Sequence, residues 1–296
     1  MKQYIIDAFT KELFKGNPAA VCVMDNWIPD DLMLSIAKEN NISETAFCVK
    51  EGSIYHLRWF TPAKEIDFCG HATLATAFVL LNYYETSAEQ VDFDTLHGRL
   101  SVKRLNDSYE MNFPASEYTI VPVTDDMEKV FGVRPSEALL GRELVCVFDN
   151  ENDVKDMNPD PKSLLKLGYF GYCVTAPGSD YDCVSRYFSP ELSIAEDPVT
   201  GSIHCLLAPY WAKRLGKSAI NAFQASERTG TMRCVLNGDR VKIYGDAVLF
   251  SICEIKILSK GTILVAKAPS LVTGLRQSTH ARGKCPVPGY YCFYDS

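Results

Sequence analysis

"LRWFTPAKEIDFCGHATLATAFVLLNYY", residues 57–84, meets a second version of itself in "VSRYFSPELSIAEDPVTGSIHCLLAPYW", residues 184–211. Each begins with an aromatic residue, Phe, a hydroxyl residue and Pro: Trp59-Phe60-Thr61-Pro62 and Tyr187-Phe188-Ser189-Pro190. An acidic connector, a glycine and an apolar helix follow in both. After each helix comes a hairpin, "HGRLSVKRLNDSYEMNF" and "TGTMRCVLNGDRVKIY", turning on Asn106-Asp107 and Asn237-Gly238. Matches that recur in the same order indicate an internal repeat. The chain therefore reads as an α+β protein of two similar halves, each a curled antiparallel sheet around one central α-helix. The first half is expected over 1–115, with a closing strand from 245–258, and the second over 116–258.

The helix in "HATLATAFVLLNYY" is apolar nearly all round, as a helix enclosed on every side must be. "IPDDLMLSIAKENN" predicts a second kind, with Pro29 in its first turn and Leu32, Met33, Ile36 and Ala37 on one face. Period-two alternation predicts strands at 3–9, 19–24, 54–61, 99–104, 109–113, 144–148, 169–175, 184–188, 231–236 and 240–244.

At 296 residues and 47% hydrophobic, the chain can bury a full core. A net charge of −7 without a Lys/Arg cluster speaks against nucleic acid or an anionic membrane as partner. No apolar run reaches membrane-spanning length, and "MKQYIIDAFT" meets an acid too early for a signal peptide. The eleven cysteines lack C-x-x-C spacing and lie mostly in apolar stretches such as "AVCVM" and "LVCVF". Buried, reduced thiols in a cytoplasmic protein are expected, with no metal site for want of ligand spacing.

"NISETAFCVK", residues 41–50, reads as a strand that carries an acid, Glu44. Such a carboxylate is either solvated or held dry as a proton carrier, protonated in part near neutral pH. Gly70 and Gly201 each open a central helix, and helix N-termini bind carboxylates. His71 lies in the first turn of the first helix, where the dipole tends to lower its pKa. Taken singly, His71 is a polar helix-start residue, Asp197 a turn residue and Ser202 a helix cap. Together with Glu44 they form an acid–His–Asp–Ser set beside two anion sites.

"FKGNPAAVCVM" (14–24), "NISETAF" (41–47), "RWFTPAKEIDFCGHATLATA" (58–77), "EDPVTGSIHCLLAPYWAKRLGK" (196–217) and "AFQASERTG" (222–230) resemble the PhzF-like family of phenazine-biosynthesis-like proteins. The resemblance implies the diaminopimelate-epimerase-like fold, two pseudo-equivalent halves, each an antiparallel β-barrel wrapped around a central α-helix. It implies Glu44 as general acid/base, with His71, Asp197 and Ser202 completing the catalytic set. Its motifs also carry Asn17, Gly70, Thr200 and Gly201, which are expected to bind the substrate. In the phenazine enzyme that set isomerises trans-2,3-dihydro-3-hydroxyanthranilate without cofactor, and a homodimer is implied. The function expected is a cofactor-independent isomerase of a small carboxylic acid, cyclic acids included.

Two other readings stand beside it. An amino-acid racemase or epimerase of this fold would use two thiols; Cys69 stands where the first belongs, but only Cys205, a turn further on, answers for the second. The other is a non-enzymatic interaction protein that kept the fold. Pro209 should kink the second central helix, and 259–296 is expected to be a poorly packed extension carrying Cys285 and Cys292.

Overall fold

The internal repeat is visible in the order of the elements. In this computed structural model, which describes residues 1–257 apart from 97, 107 and 193, the chain opens with β1 (Lys2–Ala8), β2 (Asn17–Met24), α1 (Asp30–Asn40), β3 (Glu44–Glu51) and β4 (Ile54–Phe60). The short β5 (Glu65–Ile66) and α2 (Gly70–Val79) precede β6 (Gln90–Thr95), β7 (Gly98–Leu105) and β8 (Ser108–Pro114). After β9 (Thr119–Val121) and α3 (Asp125–Phe131) the series starts again. It runs through β10 (Glu137–Leu140), β11 (Leu144–Val147), α4 (Glu151–Asp156), α5 (Pro161–Leu165), β12 (Tyr172–Pro177) and β13 (Cys183–Ser189). Then come β14 (Ile194–Asp197), α6 (His204–Leu215), β15 (Ala219–Gln224), β16 (Gly230–Asn237), β17 (Arg240–Gly245) and β18 (Ala247–Glu254). The 259–296 extension, Asp107, Cys285 and Cys292 lie outside the described residues.

Pairing repeats as well as order. From β18 the ladder runs β1, β2, β3, β4, β6, β7, β8; from β9 it runs β10, β11, β12, β13, β15, β16, β17. β8 and β17 join the two runs, with Arg240 opposite Pro114. The result is a mixed α and β fold built on one large sheet. A purely antiparallel expectation fails at β2–β3, β4–β6, β11–β12 and β13–β15, which are parallel. Parallel neighbours need a crossover, and helices lie on each one: α1, α2, the α4–α5 pair and α6.

Side-chain chemistry pins the equivalent connectors. Arg58 on β4 holds Glu65 on β5 through two bonds of 2.7 Å, and Arg186 on β13 holds Glu196 on β14 at 2.7 and 2.9 Å. Such bidentate pairs fix direction as well as distance. They tie each acidic connector back to its sheet just before the central helix begins.

α2 is buried along almost its whole length and packs on β1, β2, β3, β7, β8 and β18, while α6 packs on β15, β16 and β17. Beyond Val79 the first helix widens, with Glu85 N–H reaching Leu80 O at 2.7 Å. The Asn82 amide has taken the Phe78 carbonyl at 2.7 Å, displacing the regular bond there. In the second half the helix was expected from Gly201, but α-helical bonding starts later. His204 Nδ1 occupies Thr200 O at 2.8 Å, so His204 N–H turns to Gly201 O at 3.1 Å and a tighter turn precedes α6.

Pro209 lies within an unbroken α6, and the carbonyl it leaves free, Cys205 O, accepts Ser116 N–H at 2.9 Å. Pro29 stands one place before α1 rather than in its first turn, its carbonyl taking Leu32 and Met33 N–H at 3.0 Å. Eight of the nine described thiols are buried; Cys253 on β18 is exposed. No described helix is long and apolar enough to cross a membrane.

Candidate active site

Glu44 is the first residue of β3, a strand buried on both faces. Phe47 and Val49 pack with α1 residues such as Met33, whereas Ala46 and Cys48 belong to the core around α2. Strand periodicity gives Glu44 the face of Ala46 and Cys48, and so aims it at the start of α2. His71, the second residue of that helix, meets it there: Nε2 and Oε2 are 3.0 Å apart. The two residues are 4% and 6% exposed, so water screens the contact little. The ring hydrogen does not lie along that line, and neither atom has a hydrogen bond to a described residue.

The other ring nitrogen faces Asn17 Nδ2 at 3.1 Å and Cys69 Sγ at 3.6 Å. Asn17 Nδ2 donates to Asp197 Oδ1 at 2.7 Å and to Val199 O at 2.9 Å, which fixes the amide's orientation. Asp197 Oδ2 accepts from Thr200 Oγ1 at 2.5 Å. Gln224 completes the loop, accepting Thr200 N–H and donating to Asp197 O, both at 2.8 Å. A chain of contacts therefore runs Asp197–Asn17–His71–Glu44 across both repeats.

Burial works against a charged His71 ring, yet Cys69 and the Glu44 carboxylate outweigh it and hold its pKa well above the usual histidine value. The Cys69 thiol is itself pushed up by burial and by Glu44. The lowered pKa expected from the helix dipole is thus overturned. A full carboxylate charge at 3.0 Å exceeds the partial charge of a helix end.

Burial pushes the Asp197 carboxyl up to about 6, Glu44 adding to it while His71, Thr200 and Asn17 pull against. The ordinary value is 3.8, so over the interval between them the unfolded chain releases a proton that the folded chain keeps. Stability contributed by this group therefore falls as pH rises from about 4 to about 6, by about 3 kcal/mol in all. Asp197→Asn should remove that slope. Urea melts of parent and variant at pH 4 and 7 should show the difference shifting by that amount in the variant's favour; a difference independent of pH would contradict the assignment.

The two helix starts touch. A Cβ built on Gly70 would stand 3.6 Å from Gly201 Cα and 3.7 Å from Ser202 N, and one on Gly201 would stand 3.1 Å from Phe9 Cζ. They open on a cleft of about 620 Å³. Glu44, Gly70 and His71 line it from one repeat, and Asp197, Thr200, Gly201 and Ser202 from the other. Phe68, Phe113, Phe170 and Tyr187 add aromatic wall. Ser202 is half-buried, and its hydroxyl has no hydrogen bond to a described residue.

Asn17 departs from expectation. It is fully buried and does not line the cleft, because its amide is used behind His71. Gln224 and the Arg58 and Arg186 pairs had no assigned role, and Cys69 had one only in the two-thiol reading. Gln224 lies in the quoted "AFQASERTG" stretch, and the two arginines hold equivalent places in the repeat.

Fold and site define an enzyme of the isomerase class, and curated relatives carry that name. An uncharacterized isomerase of Pseudomonas aeruginosa is 44% identical over 245 residues, covering 83% of this chain and 95% of the relative. The chain belongs to the phenazine biosynthesis-like (PhzC-PhzF) family, whose pattern matches residues 6–252. A solved PhzF-family structure from Enterococcus faecalis superposes with a TM-score of 0.85 at 47% identity, covering 86% of this chain and 99% of that one. A Pseudomonas aeruginosa protein described as a predicted epimerase shares the fold alone, with a TM-score of 0.68 at 17% identity over 87% of this chain and 99% of its own.

Proposed function

We propose that this protein is a cofactor-independent isomerase of a small carboxylic acid, cyclic acids included. Glu44 moves a proton between two positions on one face of the substrate. The observation that carries this reading is the Glu44–His71 contact, a buried carboxylate and imidazole 3.0 Å apart where two helix starts meet on the cleft. The substrate carboxylate lies against the first-turn N–H groups near Gly70 and Gly201, with the Ser202 hydroxyl beside them. Glu44 Oε2 takes the proton as the C–H electron pair enters the conjugated system, then returns it elsewhere. His71 holds the carboxylate ready and offsets the negative charge that develops on the substrate. Asp197 and Thr200 act one step back, by fixing Asn17 and the loop before α6.

Two-thiol racemisation is disfavoured, although Cys69 and Cys205 both line the cleft. Burial pushes Cys69 up and Cys205 to about 12, so neither thiol is a ready base at neutral pH. The homodimer and the cytoplasmic setting rest on the resemblance and on composition, and belong to this proposal. A panel of small carboxylic acids incubated with the protein in heavy water provides the test. At least one should exchange a carbon-bound proton for deuterium, read by NMR; acids that bind without any exchange would remove the proton-shift reading.

A further inference from the structure

We propose that Glu44, Cys69 and His71 form a binding site for a thiophilic divalent cation of the zinc type. One carboxylate oxygen, one sulfur and one ring nitrogen from these residues all lie within 4.8 Å of one another. All three residues are more than nine-tenths buried, so a cation entering from the cleft meets donors that have already shed water. The spacing suits a small tetrahedral ion. Zinc bonds of ~2.3 Å to sulfur and ~2.0 Å to nitrogen set those donors ~3.5 Å apart. Cys69 Sγ stands 3.6 Å from His71 Nδ1, whereas Glu44 Oε2 stands 3.0 Å from Nε2, the other ring nitrogen, so a given ion finds one of these pairs in place. One ring nitrogen binds, and the third donor closes in by rotation about its side-chain bonds.

A second observation points to a ligand. Glu44 Oε2 and His71 Nε2 are buried and face each other at 3.0 Å, out of line for a hydrogen bond, with no further hydrogen-bond partner among the described residues. The donor set also discriminates. A thiolate, an imidazole and one carboxylate favour zinc or cobalt over magnesium or calcium, which take oxygen ligands. The cleft leaves a fourth position open to water or to a bound carboxylate. Binding expels the Cys69 thiol proton and the proton of the coordinating ring nitrogen to solvent, and no electron changes hands. The ion would withdraw Glu44 from proton transfer and so inhibit the reaction proposed above, but binding itself does not depend on that reaction.

Cobalt(II) titration of the full chain carrying Cys253→Ser, Cys285→Ser and Cys292→Ser provides the test. One equivalent should bind with a thiolate-to-cobalt charge-transfer band and the intense visible bands of four-coordination. Cys69→Ala should abolish the charge-transfer band, and Glu44→Gln should weaken binding by about tenfold or more. Zinc X-ray absorption on the parent chain reads the same site without altering it: one sulfur at ~2.3 Å, with nitrogen and oxygen at ~2.0 Å. A charge-transfer band that survives Cys69→Ala, or a zinc shell without sulfur, overturns the site. The heavy-water exchange assay reads the acid–base proposal separately.

Discussion

Glu44→Gln should slow isomerisation by at least about 100-fold and by up to about 10,000-fold, with little change in binding of the acid. The size follows from what the substitution keeps. Glutamine fills the same space at the start of β3 and keeps a polar oxygen beside the His71 ring. It cannot take a proton from carbon. A general loss of structure would depress binding and rate together, so the two are read separately, as a KM-against-kcat split. Exchange of substrate C–H protons at near the parental rate would make Glu44 an ordinary buried strand residue and end the mechanism built on it.

Gly16→Ala should be the costliest Gly→Ala change among the described glycines, destabilising the chain by on the order of 3 kcal/mol or more. Gly16 has φ +67, and a Cβ there would lie 2.1 Å from Ala8 O and 2.7 Å from Thr10 Cγ2. The backbone cannot withdraw easily. Gly16 N–H is held by Thr229 O at 2.7 Å, and Gly16 O accepts from Arg228 Nε at 2.9 Å. The next residue is Asn17, so displacement passes straight to the amide that joins His71 to Asp197. A fall in Tm of about 6–12 °C should accompany the loss of activity. Gly238→Ala is the control: its φ is +64, but nothing lies within 4 Å of the added Cβ. It should cost only about 1 kcal/mol, the penalty of the backbone conformation alone. Equal costs at the two positions would refute the role given to the Ala8–Gly16 approach.

The parts of this fold that could be read from the sequence are those whose signal is local. The hairpins announced themselves by alternation and by turn residues that do take positive φ, Asn106 at 56° and Gly238 at 64°. The repeat was legible because both copies kept Phe-hydroxyl-Pro and a glycine before the helix. β6 carries a signal as clear as any of these, with Val91 and Phe93 turned in and Asp92 and Asp94 outward, and it belongs with the strands. β9 and β14 are too short for periodicity to speak, and a parallel partner is a matter of crossover geometry that no local pattern encodes.

The site divides in the same way. Glu44, His71, Asp197 and Ser202 do line one cleft, and the helix starts at Gly70 and Gly201 meet there. Asn17 shows the limit. A buried amide aimed at a histidine and one aimed at a substrate look alike in sequence, and the deciding contacts join residues 54 and 180 positions apart. The His71 pKa was misjudged for the same reason. The helix that lowers it is adjacent in sequence, whereas the carboxylate that raises it comes from another element.

The claim that one buried carboxyl both removes and returns the proton is tested most directly by the fate of a label. An acid identified by the exchange screen is deuterated at the carbon that loses its proton and converted in ordinary water under single-turnover conditions. Held by Glu44, whose carboxyl is buried, the deuteron should be returned to the same molecule, and the product should retain a measurable fraction at the new position. A product in which every label has been replaced by solvent hydrogen would contradict the single-base account.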